Sequence, residues 1–466
     1  MDAMHNTPLK QLFWFRRDLR LNDNHGLFHA LSQGSVIACF IWDSKILSTL
    51  ELKNPRVNFI QQSLEEIKQQ LQQINSDLII LNGDVEDELS NLITTHKIQS
   101  LYWNEDYEPW AIKRDQQIWE KFTQQGITCH SYKDQTIFAK REILNQQSKP
   151  YTVYTPYKNT WLQKLNQDAC QSYPSERLFA NFQQLPTQEQ YFIPSEHGFT
   201  KLPALKGGTT QAQQRLLNFT EKLAHYHLTR DYPAQDLTSY IGVDLRFGTL
   251  SIRQAVQFAR AQNNDGSAIW LSELIWRDFF SQILFNFPHV ATEAFRTEYN
   301  QLNYTNNLDW FDKWCNGQTG YPIVDAGMRQ LNQTGFMHNR VRMICASFLC
   351  KDLLIDWRLG ETYFAKKLLD YDLASNNGNW QWCSSTGCDA QPYFRIFNPY
   401  LQSEKFDPTG EYLRKFIPEI AHLSDKLIHC PNNEDLFNDL NYPQPIVNHP
   451  TQVKLAKIMF ATIKKD

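Results

Sequence analysis

The chain has 466 residues, 42% apolar, 21% charged and 13% aromatic, a composition that folds and that suits two to four domains at roughly 100–200 residues each. Its formal net charge of −4 excludes a global basic field, so any nucleic-acid contact must be a local patch. Nine cysteines without a CxxC pair or a His/Cys ladder, and no run of about 18 apolar residues, leave no expected metal centre, disulfide framework, signal peptide or membrane span, and the expected location is cytoplasmic.

Apolar runs at 11–15 (QLFWF), 36–42 (VIACFIW), 78–82 (LIILN), 100–103 (SLYW) and 127–132 (ITCHSY) alternate with helical patterns, clearest at Phe59, Ile60, Leu64, Ile67 and Leu71. That alternation predicts an α/β domain over 9–136 with a doubly wound parallel sheet, whose crevice lies at the carboxyl ends of the strands. No GxGxxG follows the first strand and no GxxxxGK[ST] occurs, which argues against a dinucleotide or P-loop site of the usual kind. Residues 137–205 are irregular, rich in Gln, Pro, Tyr and Ser, and read as a long connector. From 206 to 466 helical periodicity dominates, as in Leu271, Leu274, Ile275, Phe279 and Ile283, and predicts an all-α domain.

Four segments of that domain carry chemistry. In WLSELIWRDFF, 270–280, Trp270, Glu273 and Arg277 fall at i, i+3 and i+7 and share a helix face. A plain helix with a salt bridge and packing tryptophans explains them; so does a wall for a flat ligand. In TGFMHNRVRMICASF, 334–348, Asn339, Arg342 and Met343 recur at helical spacing, and His338, Arg340 and Arg342 make a basic strip, on its own a solvated face. In LLDYDLASNNGNWQW, 368–382, Asp370, Asp372, Asn376 and Asn377 form a polar turn before Trp380 and Trp382, with no further ligand at metal spacing. In AQPYFRIFNPYLQSEKFDPTG, 390–410, aromatics interleave with Arg395 and Lys405, which suits a surface that meets phosphate and stacks bases.

Together these segments, with GYPIVDAGMRQLNQTGFMHNRVRM, KDLLIDWRLGE, PYFRIFNP and the opening FWFRRDLRLNDN at 13–24, closely resemble the class I photolyase and cryptochrome family over residues 12 to 445. The resemblance implies an FAD held in the helical domain by Tyr226, Thr238, Ser239, Tyr240, Ile241, Gly242, Trp270, Glu273, Arg277, Asn339, Arg342, Asp370, Asp372 and Asn376. Asn339 is then expected at flavin N5, Arg342 and Asp370 as a pair beside the ring, and Asp372 at the N3 edge. It also implies light-driven repair of cyclobutane pyrimidine dimers in UV-damaged DNA, by electron transfer from excited, fully reduced anionic FAD to a dimer flipped out of the duplex, the base-flipping mode known for photolyases. Trp276 and Trp382 would wedge against the dimer, Glu273 would bond its pyrimidine edge and Met343 would pack beside it. Arg230, Arg340, Arg395, Gln402 and Lys405 match positions that meet DNA. Trp380, Trp357 and Tyr304 match a chain that returns electrons to the flavin, with Tyr304 standing where much of the family has Trp, and Trp310 or Trp314 as substitutes.

Two departures bear on the expectation. Where the family often has Ser-Arg-Leu-Ser in its phosphate loop, residues 239–242 read Ser-Tyr-Ile-Gly, so Arg246 or another cation is expected to substitute. Where folate-binding relatives tend to carry Asn and Glu, YEPWAIKRD at 107–115 has Trp110 and Ala111. The Glu-Pro-aromatic pattern is closer to deazaflavin- or flavin-binding relatives, so a second, antenna chromophore (folate, deazaflavin or flavin) is left open in both identity and presence. A monomer is the expected state. The alternatives are a cryptochrome-type light sensor and a light-independent flavoprotein oxidoreductase. Asn339 argues for repair, since plant-type sensors tend to have Asp there.

Overall fold

The apolar runs of the first third pair as five parallel strands: β1 Lys10–Phe15, β2 Ser35–Asp43, β3 Leu78–Gly83, β4 Ser100–Asn104 and β5 Thr128–Tyr132. The order is β3-β2-β1-β4-β5, with Leu12 of β1 opposite Ile37 on one side and Leu101 on the other. Between them run α1 His25–Gln33, α2 Ser44–Leu47, α3 Pro55–Gln72, α4 Val85–His96 and α5 Pro109–Gln124. Starts are chemically marked: Asn24, Asn54 and Asp84 accept backbone N–H groups at the first turns of α1, α3 and α4, meeting donors a helix cannot satisfy internally. β1 and β2 are buried on both faces almost throughout, the signature of a doubly wound sheet.

The computed structural model describes residues 9–431 and 440–463. Contacts divide the chain into two units, one of Met1–Ile143, Asn159–Glu221 and Ser239–Asn263, the other of Leu144–Lys158, Lys222–Thr238 and Asn264–Asp466. The three consecutive blocks expected from sequence are thus interleaved. Residues 239–263 group with the sheet because Leu19 N–H donates to Phe247 O at 3.0 Å and Arg253 Nη2 bonds buried Asp134 at 2.8 Å. The irregular connector also contains a helix, Tyr154–Lys164. Its Tyr154, Tyr157 and Trp161 stand at i, i+3 and i+7 and are all buried.

Within the sheet unit the strand order reverses at β1, which places the crevice at the carboxyl ends of β1 and β4. Its cations have carboxylate partners: Arg16 on Asp115 at 2.6 Å, and Arg17 on Asp106 at 3.0 Å and Glu108 at 2.9 Å. Burial opposes ionisation of Asp134, but Arg20 and Arg253 outweigh it and hold the carboxyl at about 2.

The second unit is helical. Its main helices are Asp265–Asn286, Pro322–Thr334, Asn339–Lys351, Trp357–Lys367, Leu373–Ser384 and His449–Ala461. Its core includes Trp314, Tyr321, Phe348, Trp357, Phe364 and Trp380. Among the described residues no helix is long and apolar enough to cross a membrane, and no cluster of His, Cys, Asp and Glu is placed to hold a metal.

Candidate functional site

The helix Asp265–Asn286 opens with a capping box, in which the Asn264 side chain accepts from Ser267 N–H and the Ser267 hydroxyl accepts from Asn264 N–H. Leu274, Ile275, Phe279 and Ile283 bury one stripe, and Glu273, Trp276 and Arg277 are left to line a cavity. The helix Leu373–Ser384 begins where Asp372 accepts Ser375 N–H at 3.0 Å. Gly378 lets it lie against Phe280, since a Cβ there would come within 2.6 Å of Phe280 Cγ. The helix Asn339–Lys351 is capped by His338, whose Nδ1 accepts Arg340 N–H at 3.2 Å.

These helices enclose a cavity of about 250 Å³ lined by Arg230, Glu273, Trp276, Arg277, Phe280, Asn339, Met343, Ser375, Asn379 and Trp382. Sequence reasoning named all of them except Phe280, Ser375 and Asn379. Trp276 stacks on Tyr154 with centroids 3.5 Å apart and planes 5° from parallel, and lies 5.3 Å from Phe280. The Tyr154 hydroxyl donates to Ser272 O at 2.8 Å. Tyr154 was missed because it sits in the segment read as connector.

Glu273 is ion-paired: Arg230 Nη1 lies 2.5 Å from Glu273 Oε1. Next to it, Asp231 Oδ1 takes Arg340 Nη2 at 2.8 Å. Asn339 Nδ2 points to Met343 Sδ at 3.8 Å. Burial holds His338 down at about 4; Asp231 pulls the other way, and Arg342, Arg340 and Arg230 add to burial. This histidine is therefore a neutral helix cap at ordinary pH.

Arg342 Nη2 bonds Asp370 Oδ2 at 2.9 Å and Arg342 Nε bonds Met337 O at 2.7 Å. Asp370 Oδ1 and Thr238 Oγ1 are buried with no hydrogen-bond partner among the described residues. Such unmade bonds cost about 1–3 kcal/mol each, and a polar ligand relieves them, which fits FAD. Trp270 and Tyr226 are buried. Asn376 Nδ2 donates to Glu361 Oε1 at 2.9 Å. Ser239, Tyr240, Ile241 and Gly242 belong to the sheet unit, where Tyr240 is left-handed at φ 58° and Gly242 opens the short helix Gly242–Phe247. Arg246, the expected replacement cation, instead faces Glu108 Oε1 at 3.1 Å.

Trp380 and Trp357 are buried. Trp380 meets Phe364 edge-on at 5.0 Å and Trp314 at 6.2 Å. The Tyr304 phenol oxygen is buried with no partner among the described residues, and burial, with the charges of Cys350 and Asp356, pushes its pKa well above the ordinary value. On the surface segment, Arg395 and Lys405 are exposed and Gln402 is partly so.

Comparison with known proteins points to the photolyase and cryptochrome family, a cryptochrome from Synechocystis superposing with a TM-score of 0.86 at 28% identity over 98% of this chain and all of its own. Residues 270–462 match the family model described as the FAD binding domain of DNA photolyase, and residues 11–176 match DNA photolyase. The deoxyribodipyrimidine photo-lyase of a Synechococcus strain is 38% identical over 97% of this chain and 96% of its own. The structure of a bacterial class III photolyase from Agrobacterium tumefaciens superposes with a TM-score of 0.90 at 32% identity, covering all of both chains. An archaeal photolyase from Sulfolobus tokodaii, described as holding two FAD molecules, gives 0.80 at 33% identity over 98% of this chain and all of its own.

Proposed function

The chain belongs to the DNA photolyase family and is a repair enzyme with an FAD-binding domain; on that premise we propose that it splits cyclobutane pyrimidine dimers extruded from DNA into the cavity of the helical unit. One observation carries the reading. Glu273, Trp276, Asn339, Met343 and Trp382, from three helices far apart in sequence, line the same cavity, and each has the chemistry that the dimer or the flavin requires.

Arg342 and Asp370, already paired at 2.9 Å, would hold the flavin with Asp372, Asn376 and Trp270. Asp370 Oδ1 and Thr238 Oγ1 offer their unmet bonds to it. When bound, a reduced anionic flavin would supply light-driven one-electron chemistry to the dimer. Trp276 and Trp382 offer flat apolar faces to the dimer and keep water away. Glu273, a carboxylate paired with Arg230, accepts from a pyrimidine N–H and so orients the dimer's edge. Asn339 presents a neutral amide, which orients without acting as a strong acid. Two cyclobutane C–C bonds break with no net oxidation, so no further co-substrate is needed. Extrusion costs a few kcal/mol, less where stacking is already disturbed, and that difference helps select the lesion.

Exposed Arg395 and Lys405, with Gln402 near them, meet the DNA backbone, while Arg230 and Arg340 act beside the cavity. A second, light-harvesting chromophore is part of the reading, supported by the Sulfolobus relative described with two FAD molecules. The decisive test mixes reduced protein with a thymine-dimer oligonucleotide under near-UV light. Thymine restored only in the light supports repair. Binding without restoration points to a sensor of the cryptochrome kind, and nicotinamide turnover in the dark to an oxidoreductase.

A further inference from the structure

The two arginines assigned to DNA beside the cavity are not open cations. Arg230 Nη1 sits 2.5 Å from Glu273 Oε1, and its Nε faces Asp231 Oδ1 at 4.0 Å. Arg340 Nη2 is 2.8 Å from the same Asp231 oxygen, and its guanidinium lies over the Phe406 ring at 4.5 Å. Asp231 is thus a carboxylate shared by both cations in an alternating row, Glu273–Arg230–Asp231–Arg340. Nothing in the cavity lining requires it. Arg395 and Lys405 differ: both are exposed, and neither forms an ion pair among the described residues.

We propose that Asp231 is a specificity-determining residue, which holds Arg340 and, at longer range, Arg230 away from the phosphates of intact DNA. The proposal rests on the dimer-repair reading above. A backbone phosphate that approaches Arg340 must displace an anion already bonded to it. Exchanging carboxylate for phosphate yields little, so an intact duplex draws its affinity from Arg395, Lys405 and other open cations. An extruded dimer also fills the cavity beside Glu273 and Trp276. Burial of its rings offsets the exchange, and the phosphates flanking the lesion can then take Arg340. Asp231 in this way makes part of the electrostatic attraction conditional on damage, a use of repulsion against the wrong partner.

The test measures binding of the FAD-loaded protein to matched duplexes with and without one thymine dimer, at several salt concentrations. Asp231→Asn should raise affinity for the intact duplex by about tenfold, as expected when a like charge opposing a phosphate is removed. The dimer duplex should gain less, so that selectivity falls several-fold. The intact-duplex salt dependence should steepen by about one released ion. In an Arg340→Gln background the same substitution should have little effect. Asp231→Ser repeats the measurement with a second side chain, and the flavin absorbance of each variant reports an intact fold. If both variants bind intact DNA no better than the parent, with the same salt slope, the proposal is overturned while the repair reading stands. A parent protein that does not prefer the dimer duplex at all would overturn the repair reading itself.

Discussion

Gly360 lies in the helix Trp357–Lys367, where alanine is ordinarily the better residue by about 1 kcal/mol. Here Gly360→Ala should destabilise instead. A Cβ built at this position would stand 2.6 Å from Trp380 Cζ3 and 2.5 Å from Leu349 Cδ2, against an ordinary contact of at least 3.4 Å. Neither neighbour can yield freely. Trp380 is 2% exposed and Leu349 0%, and the indole is held edge-on between Phe364 and Trp314. Relieving the overlap requires a shift of roughly 1 Å in a packed core, and overpacking of this kind costs about 1–3 kcal/mol. After the helix-propensity gain, a net loss of up to about 2 kcal/mol remains. In urea unfolding followed by tryptophan fluorescence, this is a fall in midpoint of about 0.7 M at an m-value near 3 kcal/mol/M. Because the family resemblance implies that the ring that moves passes electrons to the flavin, light-driven flavin reduction should slow in the same variant. A Gly360→Ala protein with parental midpoint and parental photoreduction would refute the packing argument.

Tyr304→Phe should leave the photoreduction rate within about twofold of the parent, because an oxidised tyrosine must shed its proton and the buried Tyr304 oxygen has no acceptor among the described residues; a loss of tenfold or more, read by absorbance under blue light, would mark Tyr304 as the terminal donor the resemblance implies. Lys351 gives a pH prediction. Its Nζ bonds Ser385 Oγ at 3.0 Å and lies 3.6 Å from the Phe460 ring centroid, and burial lowers its pKa from 10.5 to about 7. Between those values the unfolded chain binds the proton that the folded chain has released, so stability rises with pH. The slope is at most about 1.4 kcal/mol per pH unit, and it should show between pH 7 and 8.5, before cysteines and tyrosines titrate in the unfolded chain. Lys351→Met should flatten this part of the denaturation-midpoint profile, and an unchanged slope would remove the assignment.

What was legible in the sequence follows from distance along the chain. Trp270, Glu273 and Arg277 share a face by helical spacing alone, and each of the five strands coincides with an apolar run. The ion pairs were not legible in this way. Arg230 and Glu273 are 43 residues apart, Asp231 and Arg340 109 apart, and no periodicity links them. The Trp276–Tyr154 stack was hidden for a related reason. Pro156 and the polar residues around it mask a helix despite aromatics at i, i+3 and i+7. The domain boundaries failed because segments such as 239–263 are helical by pattern but belong to the sheet unit by long-range contacts, Arg253 to Asp134 among them. The Arg246 substitution was reasoned from charge type alone, and Glu108 already competes for that cation.

The cavity shows what fixed aromatic side chains contribute to a substrate site. A side chain that meets a substrate loses about 0.5–1.5 kcal/mol of freedom if it must be ordered at binding. Trp276 has already been ordered: Tyr154 fixes the plane of its ring, Phe280 closes one side, and the Tyr154 hydroxyl is itself tied to Ser272 O. Gly378 allows Phe280 to reach that place. Aromatic pairs of this type contribute about 0.5–1.5 kcal/mol beyond their buried area, so the ordering is covered by folding and not charged to the lesion. The charged residues around the cavity are organised on the opposite principle. Glu273, Arg230, Asp231 and Arg340 are matched with one another, and on the proposal above an extruded lesion, unlike intact DNA, would re-pair them. A rigid apolar wall beside an exchangeable ionic row allows the pocket to hold its shape while its electrostatics respond to what enters it.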